Sequence, residues 1–181
     1  MNLKKLIIEG LQDEVEVVPA TREAIIQLAK KHYLHTIPAR VKRIYVVRYK
    51  YPHGQQKMAI GMAIYGLPMY SASKFLSPEA MSGEVLDLKR LYLADVGIPN
   101  LESYVIAQTL KLLKQDEPNV KVVITNANEK AGHIGTVYQA TNAIYLGKSK
   151  TGFHKYAYIL RGNIKALRNK LPPKLYPKRI K

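Results

Sequence analysis

Asn126, Asn128, His133, Thr136, Tyr138 and Asn142 fall within one stretch, NANEKAGHIGTVYQATNAIYLG, at residues 126–147. Amides, an imidazole and a phenol at this density suit a cleft that binds a polar substrate and moves protons. Gly132 and Gly135 flank the histidine and would let a ligand approach the backbone closely. A helix starting near Thr136 would offer free N–H groups to an anion or a developing oxyanion, with Tyr138 turned to the same space. The same residues also suit a helix N-terminus capped by Asn and Thr with Tyr138 half-buried. Spacing alone leaves both readings open.

Two further places carry chemistry. Arg90 interrupts the apolar run VLDLKRLYLADV, and a buried arginine needs an anion or hydrogen-bond partner. That partner is either a ligand in a cleft or a nearby carboxylate, Asp87 or Glu84. His32, Tyr33 and His35 close the segment TREAIIQLAKKHYLH. His32 and His35, three apart, could share a helix face as metal ligands do. No cysteine or carboxylate accompanies them, so no metal site is assigned, and a titrating histidine at a cleft edge is the preferred reading.

The elements that must position these groups follow from pattern. Apolar spacing predicts a helix over about 21–34, with Thr21 as its cap. RIYVVRYKY and QKMAIGMAIYG read as a hairpin turning at PHG, and GLPMYSASKFLSPEAMSG as a long irregular loop of the kind that usually serves function. From residue 85 onward come a strand, a helix capped by Asn100 with Val105, Ile106, Leu110 and Leu113 facing inward, a strand at NVKVVITNAN, the glycine-started helix, and two strands at AIYLG and FHKYAYIL. This order predicts an α/β chain with a mixed sheet and helices on both faces, whose ligands collect at the C-terminal ends of strands.

The chain has 181 residues, 47% of them hydrophobic, and no cysteine, which fits one folded domain without disulfides or thiolate chemistry. No apolar run approaches the roughly 18 residues of a membrane span, and the N-terminus lacks a signal-peptide pattern, so a cytoplasmic protein is expected. There are 29 Lys and Arg against 13 Asp and Glu, a net charge of +16. No acid lies between Glu23 and Glu79 or after Glu129. Two acid-free blocks point to a polyanion, most simply nucleic acid, with Arg40, Lys42 and Arg43 in the first and Lys174, Lys178 and Arg179 in the second. We divide the chain into a domain at 1–160 and a basic tail at 161–181.

The HY pair at 32–33, LDLKRLYLADVGIPNLESYVIAQTLKLL and TNANEKAGHIGTVYQATNAIYLG together resemble the Mom family of phage DNA-modification proteins, in consistent order over about 30–160. The resemblance implies a GNAT-like single domain (a GNAT acyltransferase-type α+β fold with a central, mostly antiparallel sheet) working in the host cytoplasm. It implies conversion of adenine in double-stranded DNA to N6-carbamoylmethyladenine, protecting that DNA from restriction enzymes. His32, Tyr33, Arg90, Ser103 and Tyr138 match family positions linked to activity, and Asn128 stands where the family usually has Asp. In GNAT enzymes a tyrosine in the helix of Tyr138 often protonates the leaving group, and with Asn128 unable to take a proton, His32 is the expected base. Asn126 or Asn128 would read the edge of the adenine. VGIPNLES departs from the Arg/Gln-x-x-Gly-x-Gly/Ala pyrophosphate loop of acetyl-CoA enzymes. That speaks against acetyl-CoA and leaves open a glycine-bearing donor such as an aminoacyl-tRNA. The alternatives are a conventional N-acyltransferase acting on a small amine or protein, and a DNA-binding protein whose catalytic site has decayed.

Overall fold

β-Branched and aromatic residues fill 41–50 and 57–66, and in the computed structural model, which describes residues 14–51, 56–68 and 83–162, both runs are strands. They are β2 (Val41–Lys50) and β3 (Lys57–Gly66), paired antiparallel as the hairpin pattern predicts, with the turn at 52–55 outside the described residues. Both are apolar on two faces because both faces are covered. Tyr45, Val47, Ala63 and Tyr65 face α2 (Leu101–Asp116), through Val105, Ile106 and Leu113. Ile44, Val46, Met62 and Ile64 face α1 (Ile26–Lys31), through Leu28 and Ala29. The expected helices on both sides of the sheet are therefore present.

β1 (Val15–Pro19), for which the sequence pattern predicted no element, adds to the edge of β2. β4 (Val85–Leu93) pairs antiparallel with β3 and parallel with β5 (Val122–Asn128). β6 (Ile144–Lys148) and β7 (Phe153–Ile159) complete the order β1-β2-β3-β4-β5-β7-β6. One parallel pair in an otherwise antiparallel sheet makes it mixed. Among the described residues no helix is long and apolar enough to cross a membrane.

Two details of β4 create the site. Its pairing with β5 runs only from Val85–Val122 to Leu88–Thr125. Beyond that, β4 stays with β3 as far as Leu93, while β5 stays with β7 as far as Asn128. The sheet therefore forks between β4 and β5. The second detail is a bulge: Tyr65 opposes Leu88 while Ile64 opposes Arg90, leaving Lys89 as an extra residue. A bulge reverses the alternation that follows it. Leu86 and Leu88 face α2, and without the bulge Arg90 would join them in the core. With it, Arg90 lies on the α1 face at the fork.

The first helix is shorter than its apolar spacing predicts. Thr21 Oγ1 accepts from Ala24 N at 3.4 Å, as expected of a cap, and a single tight turn at Glu23–Ile25 leads into α1. The helix stops at Lys31, and His32 is extended (φ −71°, ψ 143°). Leu34 N donates to His32 Nδ1 (3.1 Å) and His35 N to His32 O (2.7 Å), so local bonds take the groups another helical turn would use. His32 and His35 thus share no helix face. Asn100 also departs from expectation: its φ is 60° and its side chain caps nothing, although its carbonyl accepts from Tyr104 N.

Candidate active site at the fork

The fork is closed at its base by Thr125, whose hydroxyl donates to Leu88 O across the last strand pair (3.5 Å) and also bonds the Tyr138 phenol. Tyr138 lies in α3 (Thr136–Ala140), packed against the Tyr156 ring at 5.4 Å. Burial raises its phenol pKa, so it stays protonated through the neutral range. It is a proton donor there rather than an acceptor.

Arg90 has no ion pair among the described residues. It donates to Lys89 O (2.6 Å), and its buried Nε has no described partner. The carboxylates that sequence offered as partners are engaged elsewhere: Glu84 pairs with Lys121 (2.6 Å) and Asp87 with Lys89 (3.9 Å). Asp87 is one residue short of the fork on the same face, with Oδ1 unpartnered. Burial pushes its carboxyl up to about 6 against the pull of Lys89 and Arg90.

His32 is buried on the α1 side, and burial with the charge of Arg90 holds it down to about 4. It is therefore neutral at physiological pH. Its Nδ1 accepts from Leu34 N, so the proton sits on Nε2. This tautomer donates a hydrogen bond, which argues against the base expected from sequence. Next to it, Tyr33 is 48% exposed, its ring 4.4 Å from that of His32 and 5.9 Å from that of His133.

The loop of His133 is built by Asn128. Asn128 Oδ1 caps the turn at Glu129–Ala131 by accepting from Lys130 N (3.1 Å), and its carbonyl accepts from His133 N (3.0 Å). Aspartate and asparagine cap such a turn equally well. Glu129 pairs with Lys148 and lies 3.8 Å from His154 Nε2. His154 is itself buried and bonded to Tyr145 Oη (2.8 Å).

Several sequence expectations take on other roles. Gly132 (φ 80°) closes the turn facing open space. A Cβ on Gly135 (φ 83°) would lie 2.2 Å from the Tyr156 ring, so that glycine serves packing rather than ligand approach. α3 spans five residues, and no side chain caps its N-terminus, Thr136 included. Asn126 is exposed on β5 beyond the fork, while Ser103 is half-buried in the first turn of α2, across the sheet from α1. Arg40 and Lys42 are exposed, but Arg43 is held by Glu117 (2.9 Å) and Asp116 O (3.1 Å). Lys174, Lys178 and Arg179, with the loop at 69–82, lie outside the described residues. Sequence reading missed Thr125 and the part of Asp87 at the fork. The usable signal was the adjacent pair Lys89–Arg90, which no regular buried strand accommodates.

A CoA donor would need free N–H groups at the head of α2 for its pyrophosphate. There, Asp95 Oδ1 already accepts from Gly97 N (3.0 Å), Pro99 has no N–H, and Glu102 adds charge in the first turn. The carboxylates of Asp95 and Glu102 would repel a pyrophosphate there, although no side chain caps the first N–H groups of the helix.

The fold is GNAT-like. AtaTR bound with AcCoA is similar at TM-score 0.54 and 13% identity, over 82% of this chain and 94% of that one. Arabidopsis thaliana NAA60 in complex with acetyl-CoA gives 0.54 and 11%, over 80% and 99%. The aminoglycoside acetyltransferase AAC(6')-Ib with coenzyme A and kanamycin gives 0.53 and 13%, over 80% and 94%. Within that fold the chain belongs to the Mom protein family, whose model matches residues 14–160. It is 34% identical over 70 residues to Methylcarbamoylase mom of Escherichia phage Mu, a stretch that is 39% of this chain and 29% of that protein.

Proposed function

We infer that the chain is a transferase that modifies the N6 amine of adenine in double-stranded DNA with a carbamoylmethyl- or glycyl-type group, shielding the DNA from restriction. Membership of the Mom family carries this reading, and the geometry of the fork supports it. N6 is out of reach inside a stacked duplex, so the base leaves the stack and enters the fork. Exposed Arg40 and Lys42, with the basic tail, hold phosphates without reading sequence.

The N6–H proton passes to the free Oδ1 of Asp87 as the bond from N6 to the transferred carbon of the donor forms, and the bond from that carbon to the carrier oxygen then breaks. At neutral pH that carboxyl is ionised, yet it is more basic than an ordinary aspartate. Arg90 stabilises the negative charge developing on the donor, and Tyr138 delivers a proton to the departing group. Proton exchange with solvent resets both side chains. The carboxylates of Asp95 and Glu102 at the head of α2 argue against a CoA thioester and favour another glycine-bearing donor, such as an aminoacyl-tRNA.

DNA recovered from cells expressing the chain should resist restriction enzymes whose sites contain adenine, whereas DNA from cells expressing Arg90→Ala should be cut. Equal cutting of both, with folded protein present, contradicts the proposal.

A further inference from the structure

The geometry points to Tyr33, with His133 beside it, as the seat on which the extruded base stacks. This inference rests on the adenine-modifying reading and adds the residue that receives the base.

A base removed from the duplex loses its stacking neighbours, and proteins that hold unstacked bases commonly replace them with aromatic side chains. Among the described residues, Tyr33 is the most exposed tyrosine of the large hydrophobics left open to solvent, yet it is firmly mounted. It occupies a turn closed by His35 N to His32 O (2.7 Å) and Leu34 N to His32 Nδ1 (3.1 Å). The His35 ring, bonded to Lys30 O (2.6 Å), ties the turn back to α1. From the other side, Asn128 holds the loop that brings His133 to within 5.9 Å of the Tyr33 ring at 48°. Two tied loops from separate parts of the chain thus present their rings to each other beside Arg90, whose charge helps keep His32 neutral. A ring fixed before binding loses little entropy when a base settles on it. Lys30 and Lys31, exposed at the end of α1, are placed to hold the flanking phosphates. His32 is then a positioning residue: its buried, neutral ring bolts the turn that presents Tyr33.

The test compares binding of two duplexes that differ at one position, an unpaired adenine in one and an abasic site in the other. The wild-type chain should bind the adenine duplex more tightly, on the order of tenfold or more, as base-on-aromatic stacking implies. Tyr33→Leu, which keeps apolar bulk without the ring face, should lose that preference while binding the abasic duplex like wild type. Tyr33→Phe should retain the preference. A preference undiminished in Tyr33→Leu overturns the seat and leaves the adenine reading standing. A wild-type chain that binds neither duplex overturns both.

Discussion

Replacing Asp87 with asparagine should make the protein lose stability on acidification more steeply than wild type does. Two buried groups titrate in opposite senses over the same range. His32 is held down from 6.5 to about 4, so between those values the unfolded chain is protonated and the folded chain is not. Its contribution to stability is complete above about pH 6.5 and is lost as pH falls toward 4. Asp87 is pushed up from 3.8 to about 6, so there the folded chain holds the proton that the unfolded chain has released. Its contribution is complete at low pH and is lost as pH rises through that window. Converted at about 1.4 kcal/mol per pH unit, each group changes stability by about 2 kcal/mol between about pH 4.5 and 7, with opposite sign. In the wild-type chain the two nearly cancel. Urea unfolding at both pH values reads the difference. From pH 7 to 4.5, Asp87→Asn should lose about 2 kcal/mol more than wild type. His32→Asn, whose amide oxygen can still accept from Leu34 N, should gain by a similar margin. Curves for Asp87→Asn and wild type that run parallel across the range would refute the opposed titrations.

Tyr138→Phe should slow modification by about a hundredfold or more with DNA affinity unchanged, measured by single-turnover assay and fluorescence anisotropy; equal loss of both would remove its role as proton donor. Gly135→Ala should destabilise by about 2 kcal/mol or more, because it forces alanine into a left-handed backbone and sets its Cβ against the Tyr156 ring. A thermal melt decides this, and an unchanged midpoint contradicts it. Asn128→Asp should stay within about 0.5 kcal/mol of wild type while Asn128→Ala loses about 1 kcal/mol, since either polar side chain caps the turn at Glu129–Ala131.

The strands of the hairpin, the inward stripe of α2 and the mixed sheet were legible because apolar period reports which faces are covered. β1 was missed: five residues at a sheet edge, ending in Pro19, carry too little pattern to be told from a loop. The first helix was drawn too long because apolar spacing does not show that a histidine ring will take the N–H of Leu34. At the site, residue types singled out Arg90, His133 and Tyr138, but their arrangement depends on where strands part. The fork arises from pairing between residues more than thirty positions apart, and the bulge at Lys89 decides which face Arg90 takes. Neither is encoded in local spacing, nor is the packing of Gly135 against Tyr156 or the turn that Gly132 closes. Asp87 was visible only as a possible partner for Arg90, because its burial depends on how β3, β4 and β5 pair, which local pattern does not show.

The most direct test is mass spectrometry of nucleosides from the DNA of cells expressing this chain beside cells expressing Arg90→Ala. The account predicts a deoxyadenosine of increased mass with the intact chain alone, its fragmentation placing the added group on the base at N6. Unmodified deoxyadenosine in both, with the intact chain folded and bound to DNA, would contradict it.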